Sequence, residues 1–316
     1  MSRFVLQRLG QSLLLLVIVS MLGFAILHLA PGGPLSQFAS GTDMTQEDLD
    51  RIAEQLGLNR PLPVQYAEWS WRMLQGDWGR SFRDGEPVLR VIGSHLGATL
   101  QLMLTATLLA IIIGVAIGTL GAVRRHSVFD TLATVGAMVA LSIPTFWFGL
   151  VAIYTFSVWL GWLPSGNRST PGDGSALDLL RHLILPALVL ALVETAIWSR
   201  FMRSSMLDVV NQDYIRTARA KGVPEGRILL RHAFRNAALP MITVLGLQLP
   251  TLLGGALVTE TVFTWPGMGR LFLDSISYRD YPVVMGILMF SAALVLLGSL
   301  LADLLHAVAD PRIRLG

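Results

Sequence analysis

The chain has 316 residues, of which 53% are hydrophobic and only 14% are charged, and its formal net charge is +3. Soluble domains carry about 25% charged residues, so this composition argues against an ordinary soluble protein and favours a membrane protein. The sequence contains no cysteine, which excludes a disulfide framework, a thiol nucleophile and a cysteine metal site.

Six segments are apolar enough to cross a bilayer as helices, since a spanning helix needs about 20 mostly apolar residues. They are residues 9–30, 98–123, 131–160, 183–198, 237–258 and 283–308. The first segment is longer than the apolar core of a signal peptide, which favours an uncleaved transmembrane helix. We therefore predict an all-α polytopic membrane protein with six transmembrane helices.

The spacing of these segments predicts three parts. Residues 1–30 form an N-terminal transmembrane helix, residues 31–97 a small extracytoplasmic subdomain, and residues 98–316 a core of five transmembrane helices. Residues 199–236 form the one large loop of that core, and this loop is rich in arginine. Short basic loops stay in the cytoplasm, so both termini and the 199–236 loop are predicted to be cytoplasmic.

Motifs for catalysis and nucleotide binding are missing from the sequence. Lys221 is the only lysine, and it stands between Ala220 and Gly222, so there is no Gly-Lys-Ser/Thr phosphate-binding loop. A His-Glu-x-x-His zinc motif is also lacking, and the six histidines are scattered. We predict no catalytic residue, no metal site and no cofactor in this chain.

The 199–236 loop contains residues that typically start and end helices, and they predict two short helices joined by a sharp turn. Asp213 is predicted to cap a helix that starts at Tyr214, Gly222 to end it, and Pro224 to start the next helix. The second helix carries arginines at a spacing of four: Arg227, Arg231 and Arg235. Such a protrusion could dock into a partner protein. The alternative is a basic juxtamembrane segment that binds anionic lipid.

Polar residues and prolines within the spans are candidates for a translocation path. Glu194 is costly at membrane depth, so it should face protein or water, and it could contact a substrate amino group. Alternatively, it could pair with Arg200, with Trp198 or with a partner helix. The predicted path residues are Ser142, Pro144, Glu194 and Gln248. Three acidic residues are predicted at the outer mouth, where an extracytoplasmic protein could bind: Glu260, Asp274 and Asp280.

The 213–222 segment, Asp-Tyr-Ile-Arg-Thr-Ala-Arg-Ala-Lys-Gly, resembles the cytoplasmic loop of the inner-membrane permeases of ABC importers. Gly222 and Ala218 match the loop motif of that family, and the surrounding residues are similar to the dipeptide, oligopeptide, glutathione and nickel permeases. The resemblance extends along the chain through the segments 59–66, 76–82, 141–144, 263–270, 279–282 and 310–314.

This resemblance implies a type I ABC-importer permease fold in the bacterial inner membrane. It implies alternating access that carries peptides or related small solutes, a second homologous permease, two ATPase subunits that hold ATP and Mg²⁺, and an extracytoplasmic solute-binding protein. Membrane lipid is expected as a partner and nucleic acid is not. The resemblance assigns ATPase coupling to Asp213, Tyr214, Arg216, Thr217, Ala218, Arg219, Ala220, Lys221 and Gly222.

Other functions stay open at this point. An ion- or proton-coupled secondary transporter would use Glu194 as its coupling acid, and its transport would not need an ATPase. An intramembrane enzyme is disfavoured because no metal motif or cysteine is present. A scaffold or receptor is disfavoured by the glycine- and proline-rich spans.

Overall fold

The computed structural model describes residues 2–29, 45–55, 57–241, 244–246, 248 and 256–309. The regular elements in these ranges are helices, as predicted. In chain order they are α1 Ser2–Leu29, α2 Gln46–Gln55, α3 Leu62–Leu74, α4 Val88–Val123, α5 Val128–Ser142, α6 Thr145–Ala152, α7 Ala176–Val210, α8 Asp213–Ala220, α9 Glu225–Arg227, α10 Arg235–Ala237, α11 Leu257–Val262, α12 Met268–Ser277 and α13 Tyr281–Ala309. Two π-helical segments, Ile153–Trp159 and Ile228–Phe234, extend α6 and join α9 to α10.

Four of the predicted spans correspond to long apolar helices, which are α1, α4, α7 and α13. Three of them begin well before the residue that hydropathy predicts: α1 at Ser2 rather than at residue 9, α4 at Val88 rather than at residue 98, and α7 at Ala176 rather than at residue 183. Helix α7 also continues to Val210, beyond the predicted end at residue 198. The added turns of α4 and α7 are amphipathic. Ile92 in α4 and Met206 in α7 are buried against other helices, so tertiary packing rather than overall apolarity stabilises these turns.

The third predicted span, 131–160, corresponds to two helices joined at a bend. It breaks between α5 and α6, and the two halves are inclined at 102°. Pro144 lacks an N–H group and disfavours helical geometry in the residue before it, so Ile143 takes an extended conformation with φ −85° and ψ 127°. The predicted span 237–258 lies partly outside the described residues.

The centre of the fold is the pair α4 and α7, which run parallel in close contact. A Cβ atom on Gly114 would lie 2.6 Å from Trp198 Cβ, and one on Gly118 would lie 2.4 Å from the Ser199 carbonyl oxygen. Only glycine allows this approach, so Gly114 and Gly118 form a G-x-x-x-G pair that serves helix packing.

Helices α1 and α13 run antiparallel along their lengths. Gly23 packs against Leu288, and near the other ends Arg8 Nε lies 3.1 Å from Asp303 Oδ2. The start of α1 and the end of α13 therefore lie on the same side of the membrane.

The start of α13 also packs on the start of α4, where Gly286 contacts Val88. The ends of α4, α7 and α13 and the start of α1 consequently share one side, and α8 lies there because it follows α7. Helices α11 and α12 lie on the opposite side, where Trp265 Nε1 donates a 2.8 Å hydrogen bond to the Ala98 carbonyl oxygen.

Candidate functional site

Helix α8 is attached to the membrane-spanning core mainly through one buried side chain, with the half-buried Ala218 packed against the same cluster. Ile215 is fully buried and packs in a cluster that includes Met206 of α7 and Ile228 of the following π segment. Most of the remaining α8 side chains are exposed. Sequence reasoning missed Ile215, although an isolated isoleucine between Tyr214 and Arg216 in a basic helix was a usable signal for a buried face.

The start of α8 differs from the prediction. Asp213 is the first helical residue rather than the cap, and Gln212 occupies the cap position without a capping hydrogen bond from its side chain. Asp213 still places a carboxylate in the first turn, where the helix dipole favours negative charge. Its backbone carbonyl accepts a 2.9 Å hydrogen bond from Thr217 Oγ1.

The end of α8 confirms the predicted role of Gly222, which has a φ of +74°. The Gly222 N–H donates to the Arg219 carbonyl at 2.9 Å, and the Val223 N–H donates to the Ala218 carbonyl at 3.2 Å. These two bonds form a Schellman motif, in which glycine is favoured because the residue must be left-handed. The chain therefore reverses sharply into Pro224, which caps α9.

Two side-chain contacts make this turn a defined unit. Arg219 donates two hydrogen bonds to Glu225 across the turn, at 2.6 and 3.1 Å. These hydrogen bonds lower the pKa of the Glu225 carboxyl below its ordinary value and raise the pKa of the Arg219 guanidinium. Asn236 Nδ2 donates to the Tyr214 hydroxyl at 3.1 Å, which ties the start of α8 to α10.

The exposed face of α8 carries most of the predicted coupling residues. Ala218 is half-buried, whereas the other predicted residues at positions 213–222 are exposed: Asp213, Tyr214, Arg216, Thr217, Arg219, Ala220, Lys221 and Gly222. The arginines at 227, 231 and 235 are exposed on the adjoining segment. We call residues 213–222 the coupling surface. It is predominantly basic, and its turn is held by the Arg219–Glu225 contact.

Glu194 lies on the face of α7 that meets α4. Its Oε2 accepts a 2.8 Å hydrogen bond from Thr107 Oγ1, and the side chain is half-buried. Among the described residues, Glu194 pairs with Thr107 and not with Arg200, and the buried Trp198 Nε1 has no hydrogen-bond partner. Of the alternatives predicted for Glu194, pairing within this chain with Arg200 or Trp198 is therefore wrong, and access to a path or a partner helix stays a prediction.

The other predicted path residues lie on neighbouring elements. Ser142 and Pro144 flank the 102° bend, where both are exposed, and Ser142 Oγ donates to the Met138 carbonyl. Helix α5 packs on α7 near Glu194 through Ala137, Ala140 and Ala196. Gln248 is half-buried within a stretch that is only partly described.

Two of the three predicted outer-mouth acids are wrong as surface contacts. Glu260 is fully buried: its carboxylate accepts hydrogen bonds from Thr99 Oγ1 and from the Gly269 N–H, both at 2.7 Å. These bonds hold the turn between α11 and α12 against α4. A buried carboxylate whose hydrogen-bond donors come from distant residues looks like any surface acid in the sequence. The sequence alone therefore could not distinguish a buried Glu260 from an exposed one.

Asp280 is also buried, and it accepts bonds from Ser81 Oγ at 2.5 Å and from the Phe82 N–H at 3.0 Å. It joins the end of the inserted segment to the start of α13. Asp274 is half-exposed, 3.7 Å from the Arg270 guanidinium, and stays a candidate surface contact.

A buried ion pair near the α8 side of the membrane was missed by sequence reasoning. Asp130 in the first turn of α5 accepts two hydrogen bonds from Arg203 of α7, at 2.6 and 2.8 Å. Asp130 is positioned by the His126 N–H and by Ser127, which caps α5. The Ser-x-x-Asp spacing was the available signal. The pair fastens the bent α5–α6 element to α7 seven residues before α7 ends at Val210.

Comparison with known proteins gives matches along the whole chain. The profile of the family described as "Binding-protein-dependent transport system inner membrane component" matches residues 110–315, and the profile of the corresponding N-terminal region matches residues 1–103. The oligopeptide transport system permease protein AppB of Bacillus subtilis is 46% identical over 315 residues, which cover 99% of each chain. The dipeptide transport system permease protein DppB of Escherichia coli is 39% identical over 336 residues, again covering 99% of each chain.

Among solved structures, an inward-facing form of the MetNI methionine ABC transporter is similar. The TM-score is 0.57 at 18% identity, and the match covers 71% of this chain and 99% of the other. At this identity the likeness establishes the fold alone.

Proposed function

The chain belongs to the family of binding-protein-dependent transport system inner membrane components, and we propose that it is the permease subunit through which an ABC importer carries peptides. Support for peptide cargo comes from the two relatives named for oligopeptide and dipeptide transport, which align with this chain from end to end. The chain contributes the path across the membrane and catalyses no covalent step.

In this proposal the side that carries α8 and both chain termini is cytoplasmic. The start of α1, the end of α13 and α8 share this side, and so do the arginines of the 199–236 loop and of the short 124–127 connection. Basic residues in short loops are retained in the cytoplasm. The insertion containing α2 and α3, together with α11 and α12, then faces outward.

The observation that carries the proposal is the coupling surface, an exposed basic helix fixed to the spanning core by Ile215 and ended by a rigid turn. A helix of eight residues has little stability alone, so its position is set by the core and any force on it passes to α7. We place two ATPase subunits at this surface, with ATP and Mg²⁺ bound to them. A second permease completes the pore, and a solute-binding protein meets the outer side near Asp274.

Transport follows by alternating access. Closure of the ATPases on ATP displaces the coupling surface, and α7 moves together with α4 because the two helices touch through glycine. Glu194 and Thr107 lie between these helices, where a carboxylate could bind the ammonium group of an entering peptide. The bend at Pro144 supplies backbone groups that are free of helical bonds and can change direction as the path opens.

The proposal is tested at Gly222, using the complex purified with its ATPase subunits and reconstituted into liposomes. Proline cannot adopt the φ of +74° found there, so Gly222→Pro should insert normally yet lose ATP-dependent peptide uptake. Gly222→Asn is the matched control, since asparagine tolerates the left-handed region and should retain uptake.

Full uptake by Gly222→Pro would refute the coupling role. Uptake that continues without ATPase subunits and is lost in Glu194→Gln would identify an ion-coupled transporter instead.

A further inference from the structure

A cleft of about 580 Å³ lies on the side of the membrane opposite α8. It is formed by the end of α1, the start of α13, helix α3 and the segment that follows α3. The residues that define it include Phe24, Leu27, Trp69, Arg72, Trp78 and Met285. No residue of α5, α6 or α7 lines it, so it is separate from the translocation path proposed above.

The floor of the cleft is continuous with the apolar surface that α1 presents to the bilayer. Leu22 and Ile26 of α1 are exposed, and Leu27, which lines the cleft, follows them on the same helix. Water in such a cleft would be costly, whereas a hydrocarbon chain entering from the bilayer would not be.

Helix α3 has the character of a helix at the membrane interface. Trp71 and Leu74 are 63% and 80% exposed, and they flank Arg72, which lines the cleft. Exposed tryptophan beside arginine is typical of helices that lie at the level of the lipid headgroups. The cleft therefore has its apolar part toward the hydrocarbon and its charged mouth at the headgroup level.

Within the described ranges, four charged side chains line the cleft: Glu68, Arg72, Asp77 and Arg80. Arg80 donates a 3.0 Å hydrogen bond to the Gly85 carbonyl oxygen. Glu68 is held by Arg60, which leaves Arg72 and Asp77 as the charges available to a ligand. In the part of the chain that the structure describes, the Arg72 guanidinium has no ion-pair or hydrogen-bond partner. The Asp77 N–H donates to the Arg72 carbonyl at 3.0 Å, so the two residues adjoin. The Asp77 carboxylate accepts a 3.0 Å hydrogen bond from the Gly79 N–H through Oδ1 and keeps further acceptor capacity.

We propose that this cleft binds one phospholipid with an amino headgroup. The phosphate pairs with the Arg72 guanidinium, the ammonium group donates to Asp77, and one acyl chain lies between Leu27 and Met285. A zwitterionic peptide offers the same two charges, but it would not match an apolar floor that continues into the bilayer.

The test is native mass spectrometry of the purified, delipidated full chain supplied with phosphatidylethanolamine or phosphatidylcholine of identical acyl chains. One phosphatidylethanolamine should be retained in preference to phosphatidylcholine, because a choline group has no N–H to donate to Asp77. This comparison uses the unmodified chain, so it does not depend on how any variant folds. Equal retention of the two lipids would overturn the headgroup assignment.

Two pairs of variants locate the site. Arg72→Gln should weaken retention about tenfold, the factor expected for one lost charge-assisted hydrogen bond, whereas Arg51→Gln, outside the cleft, should not. Leu27→Trp fills the cleft and should also reduce retention, whereas Leu22→Trp on the exposed face of α1 should not. Retention unchanged in both Arg72→Gln and Leu27→Trp, or displacement of the lipid by a zwitterionic dipeptide, would overturn the proposal.

Discussion

Replacement of Ile215 by alanine should detach α8 from the core without changing the exposed coupling surface. The side chain is fully buried and loses three carbon atoms in this variant. At about 0.8 kcal/mol per carbon, the docked position of α8 loses about 2.4 kcal/mol of stabilisation. A cavity that stays unfilled adds to this loss, and truncations of this kind cost about 2–5 kcal/mol in total. A loss of about 2.4 kcal/mol lowers the ratio of docked to undocked α8 roughly 60-fold.

The assay is the number of peptides imported per ATP hydrolysed by the reconstituted complex. We expect Ile215→Ala to keep ATP hydrolysis but to import far fewer peptides for each ATP, since the ATPases would push on a loosely held helix. Leu230→Ala is the control, because Leu230 lies outside the coupling surface and is 72% exposed, so the substitution truncates an aliphatic side chain and leaves the buried contact in place. An unchanged import ratio in Ile215→Ala would refute the view that force passes through this residue.

Three further predictions concern other contacts. Gly118→Val should lower the free energy of unfolding by about 1–3 kcal/mol or more, because the new side chain overpacks against Ser199. Gly136→Val should change the free energy of unfolding little, because a Cβ atom there meets nothing within 4 Å. Thermal unfolding of both variants measures the difference, and equal stability would refute the close contact of α4 with α7. Glu260→Gln should lower the free energy of unfolding by about 1–3 kcal/mol, because a buried amide donor would face the backbone N–H of Gly269. Asp274→Asn on the surface should lower it by less than about 0.5 kcal/mol. Equal effects of the two substitutions would argue against the buried network around Glu260. The pKa of Glu225 is lowered in the folded state, so its contact with Arg219 contributes stability above the ordinary carboxyl pKa and is lost as pH falls through the lowered one. A nitroxide on Gly226→Cys, in a chain otherwise free of cysteine, should therefore become more mobile at acid pH, and with Glu225→Gln added its mobility should no longer depend on pH through this contact.

Much of the fold could be predicted because a helix that crosses the bilayer needs a long apolar stretch, and such stretches are easily recognised in a sequence. Apolar length located α1, α4, α7 and α13, and the Gly-Pro punctuation located the turn at Gly222. Where helix ends extend beyond the apolar stretch, as at Val88 and Met206, their stability comes from contacts with residues distant in sequence, which hydropathy does not register.

The sites divided in the same way. The exposed residues of α8 follow from local spacing, but the burial of Ile215 depends on a cluster assembled from several helices. Glu260 and Asp280 were misassigned because their partners, Thr99 and Ser81, are about 160 to 200 residues away, and such pairing cannot be read from local sequence. Pro144 marks a place where a helix must be interrupted, but the angle of 102° between the two halves cannot be read from local sequence.

The contact of α4 with α7 through glycine has a mechanical consequence. At Gly114 and Gly118 the two backbones touch with no flexible side chain between them, so one helix cannot easily slide along the other. The two helices should therefore tilt together as one rigid body. The stretch of α7 from Val210 to Glu194 is about 24 Å long at 1.5 Å per residue, so a small tilt of α7 about its Val210 end moves Glu194 sideways. Thr107 travels with it, and the hydrogen bond between the two persists. The two access states would then differ in which walls close around an unchanged Thr107–Glu194 pair.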